Sequence, residues 1–223
     1  MDALYSKNIE LLRKELREAD RVLLGAGAGL SAAAGLSYLD AEVFQREYPE
    51  MFRLGYRCQY ELVGMKDEEW TVGRKWAYWA KHIHYVREIL PPLPLYGELK
   101  ALLEGKEFFV VTSNCDRQFL RAGFPMERVF EYQGSYDNLG CSERCTDETW
   151  DSLPALNEVL KHIDPEPFEC RAEGLPRCPH CGALAELVFR PQNYEEGFRR
   201  YADFVNSSAG TRLCIIEIGV GFN

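Results

Sequence analysis

A run of small residues near the amino terminus, GAGAGLSA at residues 25–32, has the composition and spacing of a phosphate-binding loop. Within it, Gly27, Gly29 and Ala32 fit the pattern G-x-G-x-x-G/A, directly after a short apolar stretch at residues 21–24. In a turn from strand to helix, glycines let the backbone approach a pyrophosphate, and the free N–H groups of the helix start stabilise its charge. The run therefore predicts a dinucleotide site, with a tight turn that binds no ligand as the alternative.

Polar residues follow a second apolar stretch, which covers residues 107–112. They are Ser113, Asn114 and Asp116, and the ends of neighbouring parallel strands would bring them to the same crevice as the glycine run. An amide such as that of Asn114 can donate to a ribose hydroxyl, and a carboxylate such as Asp116 can accept from a carboxamide. The alternative is that these residues cap the next helix, a common role for Ser, Asn and Asp.

Four of the eight cysteines form two closely spaced pairs, and the amino terminus does not have the pattern of a secretory signal. The pairs are CSERC, with Cys141 and Cys145, and CPHC, with Cys178 and Cys181. Two such turns can place four thiolates around a tetrahedral zinc ion. Four protein ligands leave no open position, so the metal is predicted to be structural, and His180 is predicted to be a bystander in the second turn.

Apolar stretches that alternate with helix-like patterns predict an α/β fold, with a Rossmann-like parallel sheet and helices on both of its faces. Helices are predicted over residues 4–19, 67–90, 95–103 and 194–207, and strands over residues 21–24, 107–112, 128–131, 187–189 and 212–218. The polar, cysteine-containing region reads as an insertion. We predict a Rossmann-like dinucleotide-binding domain over residues 1–136 and 185–223, with a small zinc-binding module at residues 137–184.

Aromatic residues are concentrated in the predicted helix at residues 67–90. Their spacing places many of them on one side, which favours core packing over a ligand box; they are Trp70, Trp76, Tyr78, Trp79 and Tyr85. On the same helix, His82 and His84 are predicted to be at the surface or partly buried.

The overall composition indicates a globular chain of 223 residues, with 46% hydrophobic residues. Acidic residues outnumber basic ones by 35 to 26, for a formal charge of −9, which argues against nucleic acid as a partner. No stretch approaches the roughly 20 apolar residues of a membrane span. The sequence therefore predicts a cytoplasmic protein without a membrane or nucleic-acid partner.

These motifs together resemble those of the sirtuin family over nearly the whole chain. GAGLS at residues 27–31, followed by Gly35-Leu36, is similar to the family's G-A-G-I-S…G-I, and TSNCD at residues 112–116 is similar to its T-Q-N-x-D. The paired cysteines match its zinc module. The resemblance implies that NAD and Zn²⁺ are bound, with NAD contacts from the residues Gly27, Ala28, Gly29, Ser31, Ser113, Asn114 and Asp116.

The chain departs from sirtuin deacylases at two places. Residues 37–40 read SYLD where deacylases have P-D-F-R, so Tyr38 either lines the cofactor cleft or covers the core. Gln133-Gly134 replaces the deacylase H-G, whose histidine acts as a general base. Glutamine has no accessible pKa for taking a proton, although it can orient a ribose hydroxyl or a nucleophile. Deacylation is therefore not the expected reaction.

Both departures resemble the macrodomain-linked microbial class of sirtuins, called class M. The carboxyl-terminal IGVGFN is similar to its G-x-G-x-N segment, which adds Gly219, Gly221 and Asn223 to the cofactor contacts. The resemblance implies a protein ADP-ribosyltransferase that modifies a lipoylated glycine-cleavage H-like carrier protein, with a macrodomain hydrolase reversing the mark. Asn114 and Gln133 are then the expected catalytic residues. The class continues beyond this asparagine, so a longer natural chain is expected.

Two other functions remain open for the same residues. The first is a NAD glycohydrolase or a weak deacylase, in which water or an acyl oxygen is the nucleophile. The second is a non-catalytic module that binds NAD, which the missing histidine makes reasonable.

Overall fold

The computed structural model describes residues 3–63, 70–190 and 193–221. Its α-helices are α1 (Ala3–Glu18), α2 (Ala28–Ala33), α3 (Ala41–Glu47), α4 (Pro49–Arg53), α5 (Tyr60–Val63), α6 (Val72–His84), α7 (Pro94–Leu102), α8 (Gln118–Arg121), α9 (Ser152–Lys161) and α10 (Tyr194–Ser207). Its strands are β1 (Arg21–Ala26), β2 (Glu107–Thr112), β3 (Val129–Glu131), β4 (Asn138–Cys141), β5 (Trp150–Asp151), β6 (Ile163–Pro165), β7 (Phe168–Cys170), β8 (Ala185–Leu187) and β9 (Leu213–Ile218). A π-helical turn (Tyr85–Ile89) continues α6, and short 3₁₀ turns span Met126–Arg128 and Ala172–Gly174.

The chain forms two compact units that are each built from separated segments. The first unit comprises Met1–Gly35, Pro92–Gly134 and Asn193–Asn223, and the second comprises Leu36–Pro91 and Ser135–Gln192. The cysteine-containing region thus belongs to a larger unit than the insertion considered from sequence, because residues 36–91 join it. The domain boundaries at residues 136 and 185 remain a prediction.

A four-stranded parallel sheet organises the first unit, in the order β3-β2-β1-β9. The strand β1 lies between β2 and β9, with Ala26 paired to Thr112 on one side and to Ile218 on the other. The carboxyl ends of these three strands therefore lie at the same edge. The chain runs from β1 to β2 and β3 on one side and returns to β9 on the other, which makes the carboxyl edge at β1 a topological switch point. The predicted Rossmann-like sheet is confirmed.

Helices cover both faces of this sheet. On one face, Phe204 of α10 packs against Phe109, with ring centroids 5.6 Å apart, and joins Phe130 in a buried cluster. On the opposite face, Phe108 contacts Phe124, with ring centroids 5.7 Å apart, and Phe124 contacts Phe119 of α8. Alternating side chains of the strands point to opposite faces, so the apolar run at residues 107–112 is buried on both. Helices on both faces were predicted and are present.

The second unit combines α6 with small antiparallel sheets. One sheet has the order β5-β4-β8, and the other pairs β6 with β7. The predicted strand at residues 187–189 lies two residues earlier, because Ala185 pairs with Cys141 and Leu187 with Leu139. This is the register that brings the ends of the two cysteine turns together. Its short strands carry little apolar periodicity, which explains why most of them were not predicted.

The aromatic helix α6 forms much of the core of the second unit. Trp76 and Tyr78 are buried, which confirms core packing for this pattern, while residues 64–69 of the predicted helix lie outside the described residues. The prediction for His82 was wrong, because its side chain is completely buried. Hydrogen bonds to both ring nitrogens, described below, explain how a polar ring is accommodated there.

A search of the described helices finds none that is both long and apolar enough to cross a membrane.

Candidate active site

The glycine run forms the turn from β1 into α2 at the carboxyl edge of the parallel sheet. The Gly27 N–H donates to the carbonyl of Ile218, at 3.1 Å, and the Gly29 N–H donates to the carbonyl of Gly219, at 3.0 Å. A Cβ atom on Gly29 would lie 2.7 Å from the Cα atom of Gly219, closer than side chains normally approach a backbone. Glycine is therefore needed here because two backbone segments touch, and the N–H of Gly29 already has a partner within the protein.

The segment after β9 completes this contact. Gly219 has a φ of +64°, a left-handed conformation that favours glycine, and a Cβ atom there would lie 2.1 Å from the backbone nitrogen of Leu30. Gly221 is exposed, and Asn223 lies outside the described residues. The structure thus brings Gly219 to the glycine turn, as its assignment to the cofactor site requires.

Asn114 connects the end of β2 to the glycine turn. Its side-chain nitrogen donates to the carbonyl of Gly27 at 3.0 Å and to the hydroxyl of Ser31, also at 3.0 Å. The Asn114 N–H is held by the Thr112 hydroxyl at 3.0 Å, so both its backbone and its side chain are fixed. Only 7% of Asn114 is exposed. This amide faces the glycine turn, and it does not cap a helix.

Ser31, Tyr96, Asn114 and Asp116 form a buried polar group that we call the sheet-edge cluster. The Ser31 hydroxyl donates to a carboxylate oxygen of Asp116 at 2.5 Å and lies 2.7 Å from the Tyr96 hydroxyl. Asp116 also accepts the backbone N–H of Gln118 at 3.0 Å, so this one residue does help to start α8. The cluster ties the glycine turn, the end of β2 and α7 into one hydrogen-bonded network.

Burial sets the electrostatics of the sheet-edge cluster. Loss of hydration raises the pKa of Asp116, and hydrogen bonds from Ser31 and from the Gln118 N–H oppose that rise. The pKa of Tyr96 is also raised, first by burial and then by the charge of Asp116. A carboxylate held at such a cost at the end of a sheet strand is typical of functional sites.

Gln133 follows β3 in a tight turn. Thr112 pairs with Glu131, and the Tyr132 N–H donates to the Thr112 carbonyl at 3.1 Å, which extends the ladder by one residue. In this register, Asn114 and Gln133 each lie two residues after the end of their strand, at the same edge of the sheet. The Gly134 N–H closes the turn on the Glu131 carbonyl at 2.9 Å, and Gln133 is exposed there. Its side chain is therefore available to a ligand, in contrast to that of Asn114.

The other predicted contacts differ in exposure and in partners. Ala28 and Gly29 are exposed at the start of α2, and Ser113 is half-buried, with its N–H bound to the Ala26 carbonyl at 3.1 Å. Tyr38 belongs to the second unit, where its hydroxyl lies 3.0 Å from Nε2 of His82 and 3.0 Å from the hydroxyl of Tyr136. Tyr38 thus takes part in a polar core.

The four paired cysteines come together in the second unit. Their sulfur atoms all lie within 4.8 Å of one another, and two of the separations, Cys141 to Cys181 and Cys145 to Cys178, are 3.6 Å. Tetrahedral zinc with bonds of about 2.3 Å requires sulfur atoms roughly 3.8 Å apart. The four thiols therefore fit a zinc ion.

The surroundings of these cysteines also suit a metal held by thiolates. A hydrogen bond from the Cys145 N–H stabilises the thiolate of Cys141 and lowers its pKa to about 6, whereas hydrogen bonds with the thiols of Cys181 and Cys141 raise the pKa of Cys145. Nε2 of His180 lies 3.0 Å from a carboxylate oxygen of Glu148, away from the sulfur atoms. The ring of His180 is thus engaged elsewhere, and the candidate ligand set is the four sulfur atoms.

No family model matches the chain, but several relatives align over almost all of it. A probable bifunctional ADP-ribose hydrolase/ADP-ribosyltransferase of Fusarium oxysporum is 32% identical over 97% of the chain, which spans only 38% of that relative. A protein ADP-ribosyltransferase of Staphylococcus aureus is 27% identical, over 97% of this chain and 70% of its own length. A NAD-dependent protein deacylase of Thermus thermophilus is 31% identical, over 94% of this chain and 74% of its own length. The chain belongs to the sirtuin family.

Solved structures agree with this sirtuin's fold. A Sir2 homologue in complex with NAD aligns with a TM-score of 0.56 and 21% identity, over 93% of this chain and 71% of the other. A second Sir2 enzyme aligns with a TM-score of 0.55 and 20% identity, over 94% and 75%. The Sir2-like arrangement of a parallel sheet is therefore shared.

One member of this sirtuin's sheet-edge cluster was missed from the sequence. Tyr96 is completely buried and lies 3.3 Å from the side-chain nitrogen of Asn114. It follows Pro94 at the start of α7, in a segment predicted as a helix but assigned no role. A polar tip on an otherwise apolar helix start was the available signal, and it is too common to select one tyrosine.

Proposed function

We propose that this sirtuin is a NAD-dependent protein ADP-ribosyltransferase, which transfers ADP-ribose from NAD to a protein acceptor and releases nicotinamide. The observation that carries the proposal is that the buried sheet-edge cluster and an exposed glutamine, Gln133, follow neighbouring strands at the same edge of the sheet. Two relatives named as ADP-ribosyltransferases align over 97% of the chain, which supports the reaction class. The glutamine at the position where deacylases use histidine favours transfer to an acceptor over deacylation.

The position of the cluster fits a dinucleotide. Ligands of open α/β sheets bind outside the carboxyl ends of the strands at a switch point, which here is the edge where β1 meets β9. Ala28 and Gly29 are exposed at the start of α2 on that edge. We assign the diphosphate to this turn together with Ser31, Gly219 and Gly221, and the nicotinamide ribose and carboxamide to Asn114 and Asp116. Ser113 and Asn223 complete the proposed contacts, whereas Tyr38, whose hydroxyl is bonded to His82 and Tyr136 within the second unit, is not among them.

The proposed mechanism needs no strong base from the protein. Bound NAD would supply the ADP-ribosyl group: the acceptor would form a bond to the ribose carbon, the bond from that carbon to nicotinamide would break, nicotinamide would leave, and the proton of the acceptor would pass to water. Asn114 holds the glycine turn and orients the ribose, while the exposed amide of Gln133 orients the incoming nucleophile by hydrogen bonding. Both act by positioning groups in advance, which can account for much of the rate enhancement of a transfer reaction.

We further propose that the acceptor is a lipoylated carrier protein of the glycine-cleavage H type. One relative carries the name of both an ADP-ribose hydrolase and an ADP-ribosyltransferase, which supports a functional link to an enzyme that removes the mark. The four cysteines would hold a structural zinc ion, since they supply all four ligands and leave no open position for chemistry. The formal charge of −9 supports the absence of nucleic acid among the partners.

The proposal is tested by following the transfer of label from NAD to purified carrier protein. Lipoylated carrier should be labelled with release of nicotinamide, and the same carrier without lipoyl should not. Gln133→Ala should abolish labelling without unfolding the protein, because its side chain is exposed. Gln45→Ala, an exposed glutamine of α3, is the matched control and should keep wild-type labelling.

The products distinguish this reaction from the other candidates. Free ADP-ribose without labelled protein would instead assign a NAD glycohydrolase, and loss of an acyl group from a peptide would assign a deacylase. Binding of NAD without any nicotinamide release would assign a non-catalytic module. Full labelling by Gln133→Ala would contradict the role given to that residue.

A further inference from the structure

A buried imidazole in the second unit is bonded at both of its ring nitrogens. His82 of α6 is completely buried, and its Nε2 lies 3.0 Å from the hydroxyl of Tyr38. Its Nδ1 lies 2.6 Å from the side-chain nitrogen of Gln59 and 3.1 Å from the hydroxyl of Tyr48. Together with Tyr136, whose hydroxyl lies 3.4 Å from Nε2, these residues form what we call the imidazole cluster.

The direction of the hydrogen bonds follows from the chemistry of the partners. An amide nitrogen can only donate, so Gln59 requires Nδ1 of His82 to accept. Burial lowers the pKa of His82 to about 3, and the ring is neutral, with its one proton on Nε2. This proton is donated to the hydroxyl of Tyr38. The hydroxyl of Tyr38 is thereby left to donate to that of Tyr136, 3.0 Å away.

The two tyrosines lie just beyond segments assigned to the cofactor site. Tyr38 comes three residues after Gly35, which ends the chain segment that contains the glycine turn. Tyr136 comes three residues after Gln133. Within the second unit, the hydrogen bond between the two hydroxyls therefore links the chain just after the glycine turn to the chain just after Gln133.

The backbone around Tyr136 is fixed by further contacts. The hydroxyl of Ser152, at the start of α9, donates to the Tyr136 carbonyl at 2.7 Å. Arg87, in the π-helical turn, lies 3.2 Å from both the Ser152 hydroxyl and a carboxylate oxygen of Asp137. The carbonyl of Tyr136 and the side chain of Asp137 are thus held by polar and charged contacts. The imidazole cluster fixes the side chain of Tyr136.

We propose that His82 is a positioning residue, which acts through the hydroxyls of Tyr38 and Tyr136 to hold the segment that carries Gln133. The inference rests on the proposed function, since it assigns a role in the same reaction. Loss of a positioning contact displaces a reacting group, and a displacement on the order of 1 Å can cost roughly a hundredfold in rate. The rate of transfer is therefore expected to depend on hydroxyls that do not touch the reacting atoms.

The test compares single hydroxyl deletions around the same ring. Tyr38→Phe and Tyr136→Phe remove the two hydroxyls on the Nε2 side, and Tyr48→Phe removes one on the Nδ1 side as a matched control. For each purified protein, nicotinamide release from NAD with lipoylated carrier gives kcat and KM. Amide hydrogen exchange over residues 132–137 is measured without NAD.

Tyr38→Phe and Tyr136→Phe should each lower kcat by about ten- to a hundredfold with little change in KM for NAD. Because the two hydroxyls bond each other, the double variant should lose no more than either single variant. Hydrogen exchange over residues 132–137 should be faster in both. Tyr48→Phe should keep kcat and this exchange rate, although its melting temperature should fall by roughly 2–4 °C, as in the other two.

Other results would overturn the proposal. If all three variants lost only stability, with kcat and exchange unchanged, the imidazole cluster would be purely structural. A rise in KM for Tyr38→Phe alone would assign that hydroxyl to direct cofactor binding. Wild-type protein that released no nicotinamide would refute the proposed reaction, and the exchange measurement would then still decide whether the cluster holds this segment.

Discussion

The sheet-edge cluster of the first unit and the imidazole cluster of the second are both buried hydrogen-bonded networks, but only the first contains an acidic group. The sheet-edge cluster of the first unit includes a carboxyl group, Asp116, whose raised pKa reflects its cost in the interior. The imidazole cluster of the second unit has the neutral ring of His82 at its centre, with a donor or acceptor at each nitrogen. A neutral, fully bonded network stabilises a core, whereas a buried carboxyl group that costs stability is typical of a site for a ligand.

This difference predicts that substitutions of Asp116 and of His82 change stability in opposite directions. In the sheet-edge cluster, removal of charge should stabilise the fold and destroy activity. In the imidazole cluster, any loss of a partner should destabilise the fold, because buried groups are left without a bond. The following predictions test this contrast.

The largest effect is expected for His82→Leu. Leucine removes both ring nitrogens, and the amide of Gln59 and the hydroxyl of Tyr38 then lose a partner in the interior. Each unsatisfied buried group costs about 1–3 kcal/mol, so the free energy of unfolding should fall by about 3–5 kcal/mol in urea titrations.

His84→Leu is the matched control, on the same helix two residues away. His84 is half-buried, and its Nδ1 has no hydrogen-bond partner among the residues that the structure describes. Its replacement should change the free energy of unfolding by less than about 1 kcal/mol. Equal losses in the two variants would mean that the hydrogen bonds of His82 contribute nothing specific.

The next largest effect is a loss of stability in acid. The pKa of His82 is about 3 in the folded protein against 6.5 as its ordinary value. Between these values the unfolded chain takes up a proton that the folded protein does not, so stability falls as the pH falls. Between pH 7 and 4.5 this contribution should amount to about 2–3 kcal/mol.

Asp116 contributes with the opposite sign. Its raised pKa means that the folded protein keeps this proton up to a higher pH than the unfolded chain, so acid stabilises the folded protein through this group.

The contribution of His82 is isolated by His82→Gln, which removes the titrating ring. Urea titrations of this variant at several pH values should show a smaller loss of stability between pH 7 and 4.5 than those of the wild type. An unchanged slope would indicate that other groups cause the acid sensitivity.

The two networks also differ in how far the sequence could predict them. Most of the sheet-edge cluster comes from local motifs that follow predicted strands. The glycine run that contains Gly27 and the polar run that contains Asn114 each mark the end of a strand, and parallel strands bring these ends to the same edge of the sheet. The parallel order of the sheet follows from strands that alternate with helices. Tyr96 escaped because its role depends on packing across the sheet, which no local pattern encodes.

The imidazole cluster could not be predicted, because its members come from five distant parts of the chain without a shared motif. His82 was predicted to be at the surface or partly buried, since histidine in a helix is seldom completely buried. Only tertiary contacts, such as those of Gln59 and Tyr136, reveal that both ring nitrogens are satisfied. The short strands of the second unit escaped for a similar reason, since the turns around Cys141 and Cys178 set their register more than apolar periodicity does.

A smaller effect, of opposite direction, is expected for Asp116→Asn. The amide can still accept the Gln118 N–H while removing a charge that burial disfavours. Stability at pH 7 should rise by on the order of 1 kcal/mol, the usual scale of stabilising changes at functional sites, whereas nicotinamide release should be lost. Thermal unfolding and a nicotinamide assay check both outcomes, and a less stable Asp116→Asn protein would contradict the contrast.

The smallest effect is expected for Tyr96→Phe, because the sheet-edge cluster is redundant where the imidazole cluster is not. Without the Tyr96 hydroxyl, Ser31 still donates to Asp116, and the Asn114 amide still reaches Gly27. No buried donor is left without a partner, so the free energy of unfolding should fall by only about 0.5–1 kcal/mol. Tyr38→Phe leaves the Nε2 proton of His82 with only the longer contact to Tyr136, and it should cost more in the same urea titration. If Tyr96→Phe were the more destabilising of the two variants, redundant hydrogen bonds would not explain how the sheet-edge cluster differs from the imidazole cluster.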